Sequence, residues 1–204
     1  MKKTNIAVLV SGGGTNLQAL IDAEKAGIIR SGSIKLVVSN NKDAYALTRA
    51  KNNSIDTRVV LRRDYESSRE FEAALIGVLK EADIDMIVLA GFMSILSPDF
   101  IAEFRDRMIN VHPSLIPSFC GKGFYGLHVH EAALEYGVKV TGATVHFVNE
   151  IPDGGKIILQ KAVEVQEGDT PEVLQRRVME QAEWIILPQA TEMVAAELAE
   201  RKQV

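Results

Sequence analysis

The chain has 204 residues, of which 47% are hydrophobic, so it can bury one substantial core without disulfides or metal ions as cross-links. Its formal net charge of −4, pI near 5.6 and lack of like-charge blocks argue against nucleic acid or an anionic membrane as partner. No apolar run is long enough to predict a transmembrane helix, and the single cysteine, Cys120, fits a reducing compartment. We therefore expect a cytoplasmic protein.

The first half of the chain alternates short β-branched runs with longer segments of helical pattern. The predicted strands are 5–10, 34–39, 57–61, 86–91 and 107–112. The predicted helices between them are 17–27, 43–53, 68–82 and a short 97–104. Such alternation is typical of βαβ units, so the fold class is α/β, with a mostly parallel twisted sheet and helices on both faces.

The glycine-rich segment SGGGTN, residues 11–16, lies between the first strand and its helix, where open α/β sheets bind ligands. Glycines let the backbone approach an anion, and the free N–H groups of a helix start favour phosphate. Leu17 stands where a dinucleotide fingerprint has its last glycine, and no Walker lysine follows, which argues against NAD and ATP. The segment predicts a site for a phosphorylated small molecule, with a ligand-free tight turn as the alternative.

Two polar side chains end the fifth predicted strand. Asn110 and His112 are two positions apart, so their side chains project to the same face, where both could donate hydrogen bonds to an oxyanion. The alternative is a strand-end histidine that is bonded only to backbone. Asp153, in the turn IPDGG, is either an ordinary turn residue or the carboxylate that orients His112 and raises its pKa.

The second half of the chain is richer in β-pattern. A glycine-rich loop and a helix over about 128–136 precede two β-rich runs, 138–149 and 156–165, whose Pro-Asp-Gly-Gly connection predicts an antiparallel pair added to the sheet. Segment 171–201 follows Thr170 as N-cap and begins with Pro171; we expect it to be helical with a break at Pro188.

All four histidines, together with Cys120, fall in one stretch of the chain, so a metal site has to be considered. The histidines are His112, His128, His130 and His146. Their spacing matches no recognised zinc pattern, and no His-Glu-x-x-His occurs, so metal binding is disfavoured. His146 is predicted to be a packed or supporting residue.

Four segments carry a resemblance to a known family. In order along essentially the whole chain, SGGGTNLQALID, VLAGFMSILSP, INVHPSLIPSF and GATVHFVNEIPDGGKIILQ resemble the phosphoribosylglycinamide formyltransferases, the small folate-dependent enzymes of purine synthesis. The resemblance implies a Rossmann-like formyltransferase fold and transfer of a formyl group from 10-formyltetrahydrofolate to the amine of 5-phosphoribosyl glycinamide. It implies small-molecule substrates, no tightly bound cofactor, no metal, and a monomer or weak homodimer.

The same resemblance implies the site residues by their places in the motifs. The catalytic residues would be Asn110, His112 and Asp153. The phosphoribosyl glycinamide site would hold Gly14, Thr15, Asn16 and Glu183. The folate site would hold Arg69, Met93, Ser94, Ile95, Leu96 and Asn110. Ser94 departs from the family pattern, since relatives commonly carry a basic residue there.

With no linker-like tract or repeat, residues 1–204 are predicted to form one formyltransferase domain. Its phosphate-binding half would be 1–112, and its folate and catalytic half 113–204. The methionyl-tRNA formyltransferases share the Asn, His and Asp pattern but are expected to carry a second, nucleic-acid-binding domain, which this sequence does not show. A non-catalytic module that binds a phosphorylated metabolite is the alternative from another class.

Overall fold

The structure, a computed structural model, describes residues 2–202, so the predicted domain range 1–204 includes three positions outside the described residues. Seven strands of the described chain form one sheet in the order β3-β2-β1-β4-β5-β6-β7. The strands are β1 Thr4–Val10, β2 Gly32–Ser39, β3 Asp56–Val59, β4 Met86–Leu89, β5 Met108–His112, β6 Val140–Phe147 and β7 Ile157–Glu164. Strands β1 to β5 are parallel to one another, and β6 pairs antiparallel with both β5 and β7. This confirms the predicted α/β class and its antiparallel addition.

The helices lie between the strands much as predicted. They are α1 Thr15–Lys25, α2 Tyr45–Asn52, α3 Ser68–Glu81, α4 Pro98–Glu103, α5 Leu127–Tyr136, α6 Pro171–Val178 and α7 Trp184–Arg201, with a 3-10 turn at Arg62–Asp64 and a π-helical turn at Met179–Glu183. None of the helices within residues 2–202 combines the length and the apolar character needed to span a bilayer.

The core is divided between the two faces of the sheet. On β1, Ile6 and Val8 belong to one buried cluster, and Ala7 and Leu9 belong to the other, because successive strand residues point to opposite faces. Helices α1, α2, α6 and α7 contribute to the first cluster, and α3 and α4 contribute to the second. Since both faces are covered, the central strands are apolar throughout, and polar side chains are left mainly for the strand ends.

Helix α6 begins where the sequence predicted it to begin. Pro171 is its first residue, and the Thr170 hydroxyl accepts a hydrogen bond from the Val173 N–H at 3.4 Å.

The predicted break at Pro188 was wrong, because α7 runs through this buried proline. A proline usually interrupts a helix because its ring meets the carbonyl group four residues earlier. That residue is Trp184, whose ψ of −7° differs from the helical value of about −42°, so its carbonyl is rotated out of the regular orientation. The irregularity lies instead in the π-helical turn Met179–Glu183, which widens the helix just before the proline.

Gly14 is the glycine that the fold itself requires. Its φ is +73°, and a Cβ added to it would lie 2.6 Å from the Cβ of Ala46 on α2. A Cβ added to Gly13, by contrast, would meet nothing within 4 Å, and the φ of Gly13 is not positive. The loop therefore contains one glycine needed for packing and a neighbour that is free of that constraint.

We expect Gly14→Ala to lower the free energy of unfolding by about 2–4 kcal/mol, because it combines left-handed backbone strain with overpacking against Ala46. Gly13→Ala should change it by no more than about 0.5 kcal/mol. Urea unfolding of the two variants beside the parent protein measures both values. Equal stability of the two variants would contradict the packing role of Gly14.

Candidate active site

Strands β5 and β6 bring the polar side chains of Asn110, His112 and His146 together. In their antiparallel register Asn110 is paired with His146, and His112 is paired with Thr144. His112 and His146 are buried, with 5% and 2% of their surface exposed, whereas Asn110 is half-buried. Strand pairing therefore places His146, which the sequence predicted to be a packed or supporting residue, beside the site residues predicted from β5.

Asp153 lies between the two histidines. Its Oδ2 is 3.5 Å from His112 Nδ1, and its Oδ1 is 3.5 Å from His146 Nε2. Oδ2 also accepts a hydrogen bond of 2.8 Å from the Gly121 N–H. Asp153 has a φ of 55°, so it is both the turn residue and the site carboxylate, the two interpretations that the sequence left open.

The turn that carries Asp153 is held tightly against β6. A Cβ on Gly155 would lie 1.7 Å from the carbonyl oxygen of Phe147, which leaves space only for glycine. The Pro-Asp-Gly-Gly turn therefore fixes where the carboxylate enters the site.

Backbone carbonyl groups select the tautomers of both histidines. His112 Nε2 lies 2.8 Å from the carbonyl oxygen of Phe119, and His146 Nδ1 lies 2.8 Å from that of Phe147. Because a carbonyl oxygen can only accept, each of these ring nitrogens carries the hydrogen. His146 Nε2 lies 3.3 Å from Asn110 Nδ2 and 3.5 Å from Asp153 Oδ1: when protonated it donates to the carboxylate, and when unprotonated it accepts from Asn110.

Two contacts of the site come from the backbone of the loop after β5, which sequence reasoning missed. The Phe119 carbonyl contacts His112, and the Gly121 N–H contacts Asp153. The Thr144 hydroxyl anchors the start of this loop, since it donates to the Ser114 carbonyl at 2.7 Å and accepts from the Ile116 N–H at 3.1 Å. Backbone groups leave no residue signature, so the glycine spacing was the one available signal.

Burial sets the protonation of His112. Burial lowers its pKa, and although the charge of Asp153 and the Phe119 carbonyl raise it, the net pKa lies below the ordinary 6.5. The effect predicted for Asp153, which is to raise the pKa of His112, is therefore present, but desolvation outweighs it.

The Asp153 carboxylate keeps its charge despite partial burial. Burial raises the pKa of Asp153, but the His146 hydrogen bond, the His112 charge and the Gly121 N–H together hold it below its ordinary value. The site therefore pairs an ionised carboxylate with an imidazole that is mostly neutral at pH 7.

Cys120 and His130 lie close to the polar cluster of Asn110, His112, His146 and Asp153. Burial, and then the charge of Asp153, raise the pKa of the Cys120 thiol, so it is not an activated nucleophile. His130 is fully buried, and burial lowers its pKa to about 4, so it is neutral in the folded protein. Residues 2–202 contain no group of three or more His, Cys, Asp or Glu side chains that could hold a metal ion.

The glycine segment forms the open N-terminus of α1. Gly14 is the N-cap residue, no side chain caps the helix, and the hydrogen bond from the Gln18 N–H to the Gly14 carbonyl starts its ladder. The first N–H groups therefore have no intrahelical partner and can bind an anion. Arg49 adds a positive charge, since its Nε donates to the Gly13 carbonyl at 2.8 Å.

Glu183, in the π-helical turn, contacts this segment. Asn16 Nδ2 donates to Glu183 Oε2 at 2.6 Å, and burial raises the pKa of this carboxyl group. Two of the residues predicted for the phosphorylated substrate thus touch each other, although they are 167 positions apart in the chain.

An open cavity of about 160 Å³ lies beside the polar cluster. Its lining includes Ser94, Ile95 and Leu96 from the loop after β4, and Asn110 and Asp153 from the cluster. Among the predicted folate residues, Arg69 and Met93 do not line it, and neither does the catalytic candidate His112. We refer to this cavity as the central pocket.

The arrangement is suited to acyl chemistry on a neutral nucleophile. An amide, two histidines and an ionised carboxylate can donate to a developing oxyanion and move protons, and no activated side-chain nucleophile faces the central pocket among its lining residues. Comparison with known proteins agrees with this class of chemistry. The sequence profile described as Formyl transferase matches residues 4–191, and the chain belongs to the formyl transferase family.

Several similar proteins carry names that refer to formyl transfer or to purine biosynthesis. The chain is 44% identical over 188 residues to a Haemophilus influenzae protein named phosphoribosylglycinamide formyltransferase, covering 92% of this chain and 84% of the relative. It is 47% identical to the human trifunctional purine biosynthetic protein adenosine-3, covering 96% of this chain but only 19% of that relative's length. The crystal structure of glycinamide ribonucleotide transformylase 1 from Symbiobacterium toebii matches with a TM-score of 0.89 at 42% identity, covering 96% and 89% of the two chains.

We expect His112 to titrate below pH 6.5 in the folded protein, because burial disfavours its charged form. In Asp153→Asn the midpoint should fall further, since the carboxylate that raises the pKa is removed. An NMR titration of the histidine ring signals measures both midpoints. Glu131→Gln removes a carboxylate that pairs with His128 and should leave the His112 midpoint in place, whereas a parent midpoint above 6.5 would refute this account.

His130 should make the protein sensitive to acid. Its folded pKa of about 4 lies below the unfolded value of 6.5, so the unfolded state binds a proton that the folded state does not bind, and stability falls as pH drops between these values. The parent should lose about 3 kcal/mol more than His130→Gln between pH 7 and pH 4. Urea unfolding across this range tests the difference, and equal slopes for the two proteins would contradict it.

Proposed function

We propose that the chain transfers the formyl group of 10-formyltetrahydrofolate to the amine of 5-phosphoribosyl glycinamide in purine synthesis. The observation that carries the proposal is the Asp153 carboxylate, which lies 3.5 Å from both His112 and His146 and lines the central pocket together with Asn110. Three catalytic candidates, two from β5 and one from the turn between β6 and β7, thus lie close together beside one cavity. The names of two relatives with high coverage support formyl transfer to the same acceptor.

In the proposed reaction the neutral amine attacks the formyl carbon, and negative charge develops on the formyl oxygen. Asn110 keeps one amide hydrogen free of His146 and can donate it to this oxygen. Asp153 accepts the proton that leaves the attacking nitrogen. His112 receives that proton through its Nδ1 and returns it to the departing folate nitrogen as the carbon–nitrogen bond breaks, which balances the transfer.

One contact has to open before His112 can donate directly to a substrate. In the described conformation its Nε2 hydrogen bonds to the Phe119 carbonyl. The loop after β5 therefore competes with substrate for this hydrogen, and we propose that it moves aside or exchanges this contact during turnover.

The phosphorylated substrate would bind at the start of α1. Gly14, Thr15 and Asn16 would receive the phosphate on the free helix N–H groups, and Arg49 would neutralise part of its charge. Glu183, bonded to Asn16, would accept a hydrogen bond from the glycinamide portion. The raised pKa of Glu183 suits a carboxyl group that exchanges its Asn16 contact for a substrate contact.

The folate co-substrate would place its ring system in the central pocket, whose walls include Ser94, Ile95 and Leu96. Its volume of about 160 Å³ is smaller than that of a typical pocket for a drug-sized ligand, so the rest of the folate must extend from the mouth. Met93 and Arg69 would then contact this extended part.

We further propose a single formyltransferase domain that acts in the cytoplasm as a monomer or weak homodimer, without a tightly bound cofactor, nucleic-acid partner or membrane partner. The acidic overall charge and the single cysteine support this proposal. The small-substrate reaction is favoured over a methionyl-tRNA reaction for the same reason, since a polyanionic substrate is usually met by a basic surface.

The purified protein should deformylate 10-formyltetrahydrofolate only when phosphoribosyl glycinamide is present. The change in folate absorbance measures this reaction. His112→Ala and Asp153→Asn should each lower kcat by at least about a hundredfold, because each removes a proton-transfer group. Binding of both ligands without turnover would favour a non-catalytic binding module.

His128→Ala is the matched control for these variants. His128 is exposed and pairs with Glu131 on α5, away from the central pocket lining, so its replacement should leave kcat within about twofold of the parent. Comparable loss in His128→Ala and His112→Ala would indicate a general effect of histidine removal and refute the assigned role of His112.

A further inference from the structure

The π-helical turn shifts the buried face of the C-terminal helical segment by one residue. Leu174, before the turn, is fully buried. A regular α-helix would continue its face through Gln181 and Ile185, which follow Leu174 by seven and eleven positions, close to whole numbers of turns. Both of these residues are exposed, and the next residue in each case, Ala182 or Ile186, is buried instead. The turn therefore accommodates one residue more than a regular helix would hold.

Glu183 is the polar residue that this shift brings to the inner side. It follows Leu174 by nine positions, which is two and a half turns of a regular α-helix and would place it opposite the buried face. In the structure Glu183 is 6% exposed, and its Oε2 accepts the hydrogen bond of 2.6 Å from Asn16. Met179, the first residue of the turn, also contacts the glycine segment, since its Sδ lies 4.0 Å from Thr15 Oγ1. The contact between Glu183 and Asn16 therefore depends on the wide turn.

The place of the wide turn along the helix is marked by one backbone hydrogen bond. The Trp184 N–H donates to the carbonyl of Met179, five residues earlier, as in a π-helix. For Glu183 to return to the outer face, the turn would have to begin at Glu183 or later. The nearest such turn requires an N–H at position 188 that donates to the Glu183 carbonyl. Position 188 is a proline and has no N–H, so Pro188 opposes movement of the turn past Glu183.

Pro188 can affect a ligand only through the helix. It is buried within α7 and is not among the lining residues of the central pocket. Its ring requires that the Trp184 carbonyl leave the regular helical orientation, and the Trp184 ψ of −7° meets this requirement. A regular helix from Glu183 onward is thus disfavoured by the same residue that opposes movement of the turn.

We propose that Pro188 is a positioning residue, which keeps the π-helical turn ahead of Glu183 and thereby holds the Glu183 carboxyl group beside Asn16. The inference rests on the proposed function, in which Glu183 accepts a hydrogen bond from phosphoribosyl glycinamide. Pro188 then determines the affinity for this acceptor without touching it.

Pro188→Ala supplies the missing N–H, so the wide turn can move past Glu183. We expect the KM for phosphoribosyl glycinamide to rise about tenfold, because a hydrogen bond to a charged group is lost. The KM for 10-formyltetrahydrofolate should stay within about twofold of the parent. Steady-state kinetics with each substrate varied in turn measures both values.

Pro171→Ala is the matched control. It removes a proline at the first position of α6, where a missing N–H affects no helical hydrogen bond. Both KM values of this variant should stay within about twofold of the parent. A rise of the acceptor KM equal to that in Pro188→Ala would refute the specific role of Pro188.

A second variant separates positioning from packing. Deletion of the exposed Gln181 in the Pro188→Ala background removes the extra residue, so a regular α-helix would place Glu183 eight positions after Leu174, back toward the inner side. This double variant should return the acceptor KM to within about twofold of the parent, whereas the loss of a packed proline ring would persist. Circular dichroism establishes that each variant is folded, and the double variant tests the proposal even if Pro188→Ala alone does not fold.

The proposal would be overturned by an unchanged acceptor KM in folded Pro188→Ala, by equal rises of both KM values, or by a raised acceptor KM in the folded double variant. Calorimetric binding of phosphoribosyl glycinamide separates it from the proposed reaction. Weaker binding in Pro188→Ala that the double variant restores, without turnover by the parent, would support the positioning role and reject the reaction. Turnover by the parent with an unchanged acceptor KM in Pro188→Ala would reject the positioning role alone, and absence of binding by the parent would reject both.

Discussion

The site depends on one shared carboxylate. Asp153 binds the Gly121 N–H and faces His112 and His146 at equal distances of 3.5 Å, so it connects the β6–β7 turn, the loop after β5 and the paired strands β5 and β6. A partly buried charge is stable only when it is hydrogen-bonded, and these contacts hold its pKa below the ordinary value. Loss of any one of these three contacts would remove part of the compensation for burying this carboxylate.

The two ionisable partners respond to burial in opposite ways. Burial works against charge on both groups, but the carboxylate has several donors and stays ionised, whereas His112 lacks sufficient compensation and becomes mostly neutral. This separation of protonation states is useful for chemistry, because one group can accept a proton while the other can pass it on. Both the contacts of the site and the protonation states of His112 and Asp153 therefore depend on how deeply the loop after β5 buries them.

The parallel part of the sheet places the two proposed substrate regions at the same end of the sheet. The glycine segment follows β1 and the central pocket loop follows β4, because the carboxyl ends of parallel strands point the same way. Ser11 connects the two regions, since it begins the glycine segment and its hydroxyl accepts a hydrogen bond from the Met93 N–H.

The sequence by itself determined the α/β class, the strand and helix order, and the candidate residues Asn110, His112 and Asp153, because hydrophobic period, turn residues and short motifs are local properties. It misjudged Pro188, since the rotated carbonyl of Trp184 depends on a π-helical turn that has no simple residue signature. It also could not fix the net pKa of His112 or show the Phe119 carbonyl, the Gly121 N–H or the contact between Asn16 and Glu183. These features were decided by the tertiary structure, because burial, strand register and backbone contacts between distant segments arise only when the chain has folded.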